Sequence, residues 1–286
     1  MSHAVVVGVD GSEASWAAAE WAAREAERSG RPLCMLHVGA QEEFAPTEPD
    51  EAVEPLPQAV LAVRDHIAGV LPGLELTCRH VPGNPAYALA AAGWRDSLPV
   101  VGSRGTGGFA GLLVGSTALR TAARAHCPVV LVRAGSEGQG AAGGDVLVGL
   151  DSARPCGELL SFAFAEAAAR GATLRALESR TYQSGPYVTE GPVDQREIRD
   201  ALAEAELTRL RDTLAPWREK HPEVRVEAEV TAWPAGRALV EASRGAALTV
   251  VGRRTSGLHA AAPWLGGVAH AVLHHAHGPV AVVPHD

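Results

Sequence analysis

Lysine is almost missing from this chain: Lys220 is the only one among 286 residues, and arginine carries nearly all the positive charge. That excludes the GxxxxGK[ST] phosphate loop, whose lysine reaches the terminal phosphates of a nucleotide. Cysteine is also scarce. Cys34, Cys78, Cys127 and Cys156 lie far apart with no CxxC spacing, which argues against a disulfide framework or a zinc site and for reduced, mostly buried thiols. No apolar run approaches the roughly 18 residues of a membrane span. The opening MSHAVVVGVDGS has neither a basic leader nor a cleavage-type small-residue site, so a cytoplasmic protein with no membrane partner is expected. An excess of basic charge is lacking too. With a net charge of −8 and a pI near 5.8 there is no global field for nucleic acid, and any anion must be held locally. No GxSxG elbow and no metal-binding carboxylate motif of a phosphotransferase occurs.

What is present is a repeat. VVVGVDGS (Val5 to Ser12) returns as VLVGLDSA (Val146 to Ala153), LPVVGSRGTGG (Leu98 to Gly108) as LTVVGRRTSGL (Leu248 to Leu258), and CPVVLV (Cys127 to Val132) as GPVAVV (Gly278 to Val283). The order is kept, so the halves are related from end to end. AGSEGQGAAGG (Ala134 to Gly144) reads as a flexible linker. It divides the chain into domains at 1–134 and 145–286, with the linker at about 135–144.

In each half, short β-branched runs alternate with alanine-rich stretches of helical spacing such as Ser12 to Arg28 and Ala86 to Arg95. Strands are expected near Val5–Val9, Leu33–Val38, Leu76–Val81, Leu98–Val101 and Val129–Val132, and near Val146–Leu150, Thr173–Leu177, Val224–Val230, Leu248–Val251 and Val280–Val283. Near-continuous apolar strands separated by helices indicate an α/β fold with a parallel sheet covered on both faces. Phe44 to Pro57 and Tyr182 to Pro192 occupy equivalent places and read as surface loops. Ser12 reads as the N-cap of the first helix.

The stretch GSRGTGGFAGLLVGST (Gly102 to Thr117) follows the fourth strand. Ligands of open parallel sheets bind beyond the carboxyl ends of the strands, where strand order reverses. Gly102 and Gly105 let the chain turn with its N–H groups inward, and Gly115, Ser116 and Thr117 open a helix to about Ala125. A helix start suits a phosphate chain, and Ser116 can cap it or offer a hydroxyl to phosphate or metal. With backbone donors and no obvious general base, the loop supports binding better than hydrolysis.

Gly102, Gly105, Gly115 and Ser116 form the pattern G-x2-G-x9-G-[S/T], which resembles the ATP-binding branch of the universal stress proteins. VGVDGS at Val7 to Ser12, His37-Val38, Val81 to Pro85 and GSTALRTAARAHCPVVLV look like further landmarks of that family in order, so the chain resembles a tandem universal stress protein along its whole length. The resemblance implies two Rossmann-like domains, each a five-stranded parallel sheet of order 3-2-1-4-5, paired through their last strands as an internal pseudo-dimer, with a homodimer of chains as a further possibility. It implies ATP with Mg²⁺, held by Asp10, by the backbone of Val38, and by Gly102, Gly105, Gly115 and Ser116 around the phosphates, with Thr117 close by. Arg104 would lend charge or stay solvated. The implied role is a nucleotide-dependent regulator or protective factor in stress response, with at most slow ATP hydrolysis; a scaffold acting through protein contacts alone is the alternative.

The second half departs from the pattern. Thr255 stands in place of Gly105, the loop is one residue longer, and Gly266-Gly267 replaces Gly115-Ser116. Threonine is a poor substitute if Gly105 needs a positive φ, and Trp233, near the place of Gly83 and Asn84, could partly fill the site. Asp151 and Gly252 persist. Nucleotide is therefore expected in the first half, with the second weakened or silent. His259, His270, His274, His275 and His277 lack accompanying Glu or Cys at ligand spacing, so no metal site is expected. Glu197, Glu204 and Arg211 read as a solvated helix face.

Overall fold

The computed structural model describes residues 4–39, 56–93, 97–105, 113–135, 144–180, 195–255 and 264–286, without the side chains of 195–200. The two expected surface loops fall almost wholly outside these, as do Gly107, Gly108, Gly111, most of the linker and His259.

Each half starts with a buried strand, β1 (Val5–Gly8) and β6 (Val146–Leu150), and continues into a helix, α1 (Glu13–Ser29) and α5 (Gly157–Arg170). Ser12 caps α1 as expected: its hydroxyl accepts from the Ser15 N–H at 3.2 Å, satisfying a donor that the first turn leaves free. Gly30 closes the helix in the left-handed region at φ 62. There follow β2 (Leu33–Gly39), α2 (Gln58–Val70), β3 (Leu76–Pro82), α3 (Pro85–Ala92), β4 (Leu98–Gly102), α4 (Ser116–Arg124) and β5 (Val129–Val132). The second half repeats them as β7 (Leu174–Ser179), α6 (Gln195–Lys220), β8 (Val226–Thr231), α7 (Ala235–Ala242), β9 (Leu248–Arg254), α8 (Gly267–His275) and β10 (Val280–His285). On α6, Glu204 and Arg211 lie 3.7 Å apart on an exposed face, whereas Leu210 and Leu214 turn inward.

The ten strands of the described residues form one sheet of order β3-β2-β1-β4-β5-β10-β9-β6-β7-β8. Each half has the expected 3-2-1-4-5 order with parallel neighbours. The closing strands meet antiparallel, Val280 opposite Leu131 and Val282 opposite Val129. Two strands that would have been open edges thereby become the centre, leaving β3 and β8 as the outer strands. Those two alternate in burial, whereas β4 and β5 are almost wholly buried.

The apolar layers also ignore the boundary between halves. One buried cluster joins α1, α2, α5 and α6 on one face of the sheet, and another joins α3, α4, α7 and α8 on the opposite face. Arginines tie the seam: Arg133 donates to the Leu273 carbonyl at 2.7 Å, and Arg253 to the Ala125 carbonyl. Both acceptors lie at helix C-terminal ends, where free carbonyls and the negative end of the dipole favour a cation.

All four cysteines are free thiols, as expected. Cys127 lies so close to Gly93 that a Cβ there would come within 2.3 Å of its sulfur. Burial pushes its thiol up to about 12, outweighing backbone hydrogen bonding and Arg253, which act the other way. Since the thiolate is the reactive form, iodoacetamide at pH ~8 is expected to leave Cys127 unmodified in the folded protein and to modify it after unfolding. Rapid labelling of native Cys127, mapped by mass spectrometry, would show a reactive thiol instead.

Candidate nucleotide site

The carboxyl ends of β1 and β4 converge where the strand order reverses, between β1 and β4. Past β1, Asp10 accepts from the Ser12 N–H at 3.0 Å through Oδ1, and Gly11 takes φ 83 to make the turn. The Ser12 hydroxyl, while capping α1, also donates to the Arg104 carbonyl at 3.3 Å. One side chain thus joins the β1 turn to the loop after β4. That second bond is not legible in a capping motif, because it spans 92 positions.

The loop itself is held by its backbone. The Ser103 N–H donates to the Val132 carbonyl at 2.7 Å, and the Gly115 N–H to the Ser103 carbonyl at 2.6 Å. Gly102 packs against the start of α1, where a Cβ would lie 2.7 Å from backbone atoms of Ala14. At Gly105 a Cβ would lie 2.5 Å from Asp10 Oδ2. Gly105 is not among the positive-φ glycines, so the conformational reason expected for it is replaced by a steric one: the loop passes directly over the Asp10 carboxylate.

Ser116 is not the cap of α4. Gly115 takes the N-cap position with no side-chain bond to the first turn, and Ser116 is the first helical residue. The bond from Gly115 to Ser103 sets the helix start one residue earlier than the hydroxyl alone suggests. As the N-cap, Gly115 offers no side chain to the first N–H groups of α4, and the helix starts beside the exposed Ser116, Thr117, Arg104 and Asp10. Arg133, not singled out in the sequence, lies near this end; burial first and Arg104 second lower its pKa, placing two cations near one another.

Val38 lies further along the same edge, half-buried in β2 opposite Val81 of β3. His37 beside it bonds the Val9 carbonyl through Nδ1 at 2.8 Å and packs on the His80 ring, 4.9 Å between centroids. The structure therefore brings Asp10, Gly102, Arg104, Gly105, Gly115, Ser116 and Thr117 together, with Val38 at the neighbouring strand end. The loop between, 106–112, lies outside the described residues.

The second half is built differently at the same ends. β9 and β10 pair as far as Arg254 opposite His285, beyond the last β4–β5 pair, Gly102 opposite Val132. A Cβ on Gly252 would lie 2.7 Å from the His285 ring, and Thr255 bonds the His285 carbonyl and the Asp286 carboxylate. Where β2 ends in Gly39, β7 is followed by Arg180, which contacts Glu178 at 2.6 Å, Glu206 at 3.2 Å and Asp151 at 3.4 Å. Asp151 persists, then, but it is engaged by an arginine. Trp233 does not fill this site: it is 48% exposed, 4.0 Å from Arg237 in a cation–π contact, and outside the cavity lining. That cavity, about 1050 Å³, is lined from Asp151, Arg180, Gly252, Thr255 and Gly266 to Arg124 and His126 of the first half. Among the described residues no group of three or more potential metal ligands occurs; His270 and His274 stack at 4.3 Å.

The architecture is that of two doubly wound α/β domains. The model of the universal stress protein family matches residues 1–133 and again 144–284. A universal stress protein of Mycobacterium tuberculosis is 34% identical over 297 aligned residues, covering 98% of this chain and 96% of its own length. One of Mycolicibacterium smegmatis is 32% identical, covering 98% and 97%. The crystal structure of a universal stress protein from Archaeoglobus fulgidus superposes with a TM-score of 0.62 at 17% identity, covering 99% of each chain. This chain belongs to the universal stress protein family, with two family domains in tandem.

Proposed function

We propose that the first half binds ATP, and that the protein acts in the cytoplasm as a nucleotide-dependent regulator or protective factor under stress. The observation that carries this reading is the meeting of Gly105, passing over Asp10, with the start of α4, whose N-cap is the glycine Gly115. Phosphates placed there meet backbone N–H groups, the positive helix end and Arg104, with the exposed Asp10 beside them on the side proposed for the ribose. The base would lie along the backbone at Val38.

Gly115 supports the same reading. Among the described residues a Cβ there would meet nothing closer than 3.5 Å, and its φ of −78 suits any residue. The fold itself does not demand glycine at this position; a phosphate drawn against the helix N–H groups does. Mg²⁺ fits as an ion carried by the phosphates, with the exposed Ser116 hydroxyl as a protein oxygen within the same cradle. Bound there, it would neutralise phosphate charge. The remaining work belongs to the chain: Asp10 and the loop orient the nucleotide, and Ser12 holds both turns in register.

With β5 and β10 covering one another, a homodimer of chains is not needed to protect these strands, so one chain is proposed as the working unit. Protein purified without added nucleotide is expected to release ATP on denaturation, identified by mass spectrometry. Chains that emerge empty and give no calorimetric signal with millimolar ATP would overturn the reading.

A further inference from the structure

Charge is divided unequally between the two helical layers. α1, α2, α5 and α6 mix acidic and basic residues, and their arginines are paired: Arg24, Arg28, Arg64, Arg170, Arg209 and Arg211 each contact a carboxylate. On the opposite face of the sheet, α3, α4, α7 and α8 carry Arg120, Arg124, Arg237, His270, His274 and His275 against a single carboxylate, Glu241. Glu241 already contacts Arg244, 3.4 Å away. On the outer strand β8, Glu227 and Glu229 alternate with residues packed in the other layer and so face this side, where Glu227 is held by Arg225 at 2.8 Å. In a chain of net charge −8, the helical surface of this face is a local inversion of sign.

The four helices lie side by side. α3 packs on α4 and α7 on α8, where a Cβ on Gly236 would lie 3.1 Å from Ala271. α4 covers β5 and α8 covers β10, the two strands that pair at the seam. The order across the face is therefore α3, α4, α8, α7, and it spans both halves of the chain.

Two of its arginines are laid on aromatic rings. Arg124, at the end of α4, stands 4.4 Å from the ring centre of Tyr87 on α3, and Arg237 stands 4.0 Å from that of Trp233, just before α7. The rings themselves are open to solvent, Tyr87 at 53% and Trp233 at 48%, and Val268 of α8 adds an exposed apolar side chain at 41%. A ring occupies one face of a guanidinium and fixes its plane, leaving the N–H edge for another group. Arg120, Arg124 and Arg237 form no ion pair among the described residues, in contrast with the arginines of the other layer. Exposed rings and unpaired, pre-set guanidiniums therefore share one face.

We propose that the outer surface of α3, α4, α8 and α7 docks an acidic segment of a partner protein, with carboxylates on Arg120, Arg124 and Arg237 and apolar side chains against Tyr87, Trp233 and Val268. Arginine, tyrosine and tryptophan are the residues that carry most of the binding energy at protein interfaces. A carboxylate matches the guanidinium fork with two parallel bonds, and here the plane of the fork is already set. A membrane suits the surface less well: three unpaired arginines fall short of the roughly four to eight clustered basic residues that hold a protein to anionic lipid, and histidine adds little charge at pH ~7.5. Nucleic acid also suits it less, since its phosphates extend past the patch into the field of an acidic chain. None of the residues assigned to the nucleotide takes part, so the surface stands apart from that reading.

The test is fluorescence anisotropy of a labelled peptide of glutamates with a central leucine and phenylalanine, titrated with the full chain at pH ~7.5 without nucleotide. A dissociation constant on the order of 10 to 100 µM is expected, weakening as salt is raised. Arg124→Gln and Arg237→Gln should each weaken it about fivefold, the equivalent of one ion pair lost at a partly exposed interface. Tyr87→Ala should weaken it as well, whereas Tyr87→Phe, which keeps the ring beneath Arg124, should not. Arg211→Gln, an exposed arginine of α6 on the opposite face, should leave it unchanged. No binding at millimolar peptide, or binding that Arg124→Gln and Arg237→Gln leave intact, overturns the proposal. Equal binding of the same peptide with lysine in place of glutamate does so too. Tighter binding to phosphatidylserine vesicles or to duplex DNA than to the peptide also overturns it, because the occupant is then a lipid surface or a nucleic acid. Loss of ATP binding bears on the nucleotide reading and not on this one.

Discussion

Gly115→Trp is expected to remove the ATP of the first half altogether, taking the stoichiometry of tight binding from one per chain to none. The atoms nearest a Cβ at this position are Ser103 O, Arg104 Cα and Gly105 N, at 3.5 to 3.8 Å. An indole starting there grows from the space between the loop and the start of α4, where the phosphates are proposed to lie. Folding should be spared, because the backbone conformation at Gly115 is an ordinary extended one and no close contact is created at Cβ. A thermal midpoint within about 4 °C of the parent, measured without nucleotide, checks this. Gly105→Val acts from the other wall. Its Cβ would fall 2.5 Å from Asp10 Oδ2, so either the loop or the carboxylate must move. A loss of about 100-fold in affinity is expected, as when two or more charge-assisted contacts are misplaced together. Unchanged ATP affinity in both variants would place the nucleotide elsewhere. Two tight ATP per chain, with Gly115→Trp removing only one, would show that the second half binds nucleotide as well and refute the asymmetry.

That asymmetry shows how much of the site could be read before the fold. Parallel strands buried on both faces are written as near-continuous apolar runs, so β1, β2, β4 and β5 stand out, and the internal repeat places their counterparts. The glycines at 102, 105 and 115 mark the loop for a related reason: each is a place where a side chain would obstruct backbone or ligand. The physical reason at Gly105 was not legible. Contact with Asp10 is a property of two turns meeting, and no spacing within either turn encodes it.

Charge was the least legible of all. Arg180 is an ordinary residue between Ser179 and the loop that follows, and Glu206 lies on a helix whose composition suggests only a solvated face; they meet at 3.2 Å because α6 packs back over the end of β7. Trp233 looked bulky enough to fill a site, but cation–π packing on Arg237 keeps it at the surface. Arg253 reads as one more basic residue in a degraded glycine loop. Only the pairing of β5 with β10 brings it to the end of α4 and leaves it buried.

Arg170→Met is expected to cost the largest share of stability of any single change, about 3–5 kcal/mol near neutral pH, because it leaves buried carboxylates without their bridging cation. Glu25 on α1 and Glu166 on α5 occupy corresponding places in the two halves and meet at the seam, 2% and 8% exposed. Arg170 reaches both, contacting Glu25 at 2.6 Å and Glu166 more closely still, and Arg28 adds a second contact to Glu25 at 2.7 Å. Burial, the largest influence, pushes Glu166 up to about 7 from its ordinary 4.5; Arg170 pulls it down and Glu25 pushes it further up. A carboxyl held above its unfolded value contributes stability that is complete below that ordinary value and is lost as pH rises through about 7. Removing Arg170 takes away the influence that holds the group down, so the penalty should grow with pH: small at pH ~5, where Glu166 is protonated, and full at pH ~8. Glu166→Gln should do the reverse, flattening the fall in stability across this window while keeping an acceptor for the Arg170 guanidinium. Urea unfolding of the three proteins at several pH values measures both effects. A penalty for Arg170→Met that is the same at pH ~5 and pH ~8 would mean that Glu166 does not titrate in this range.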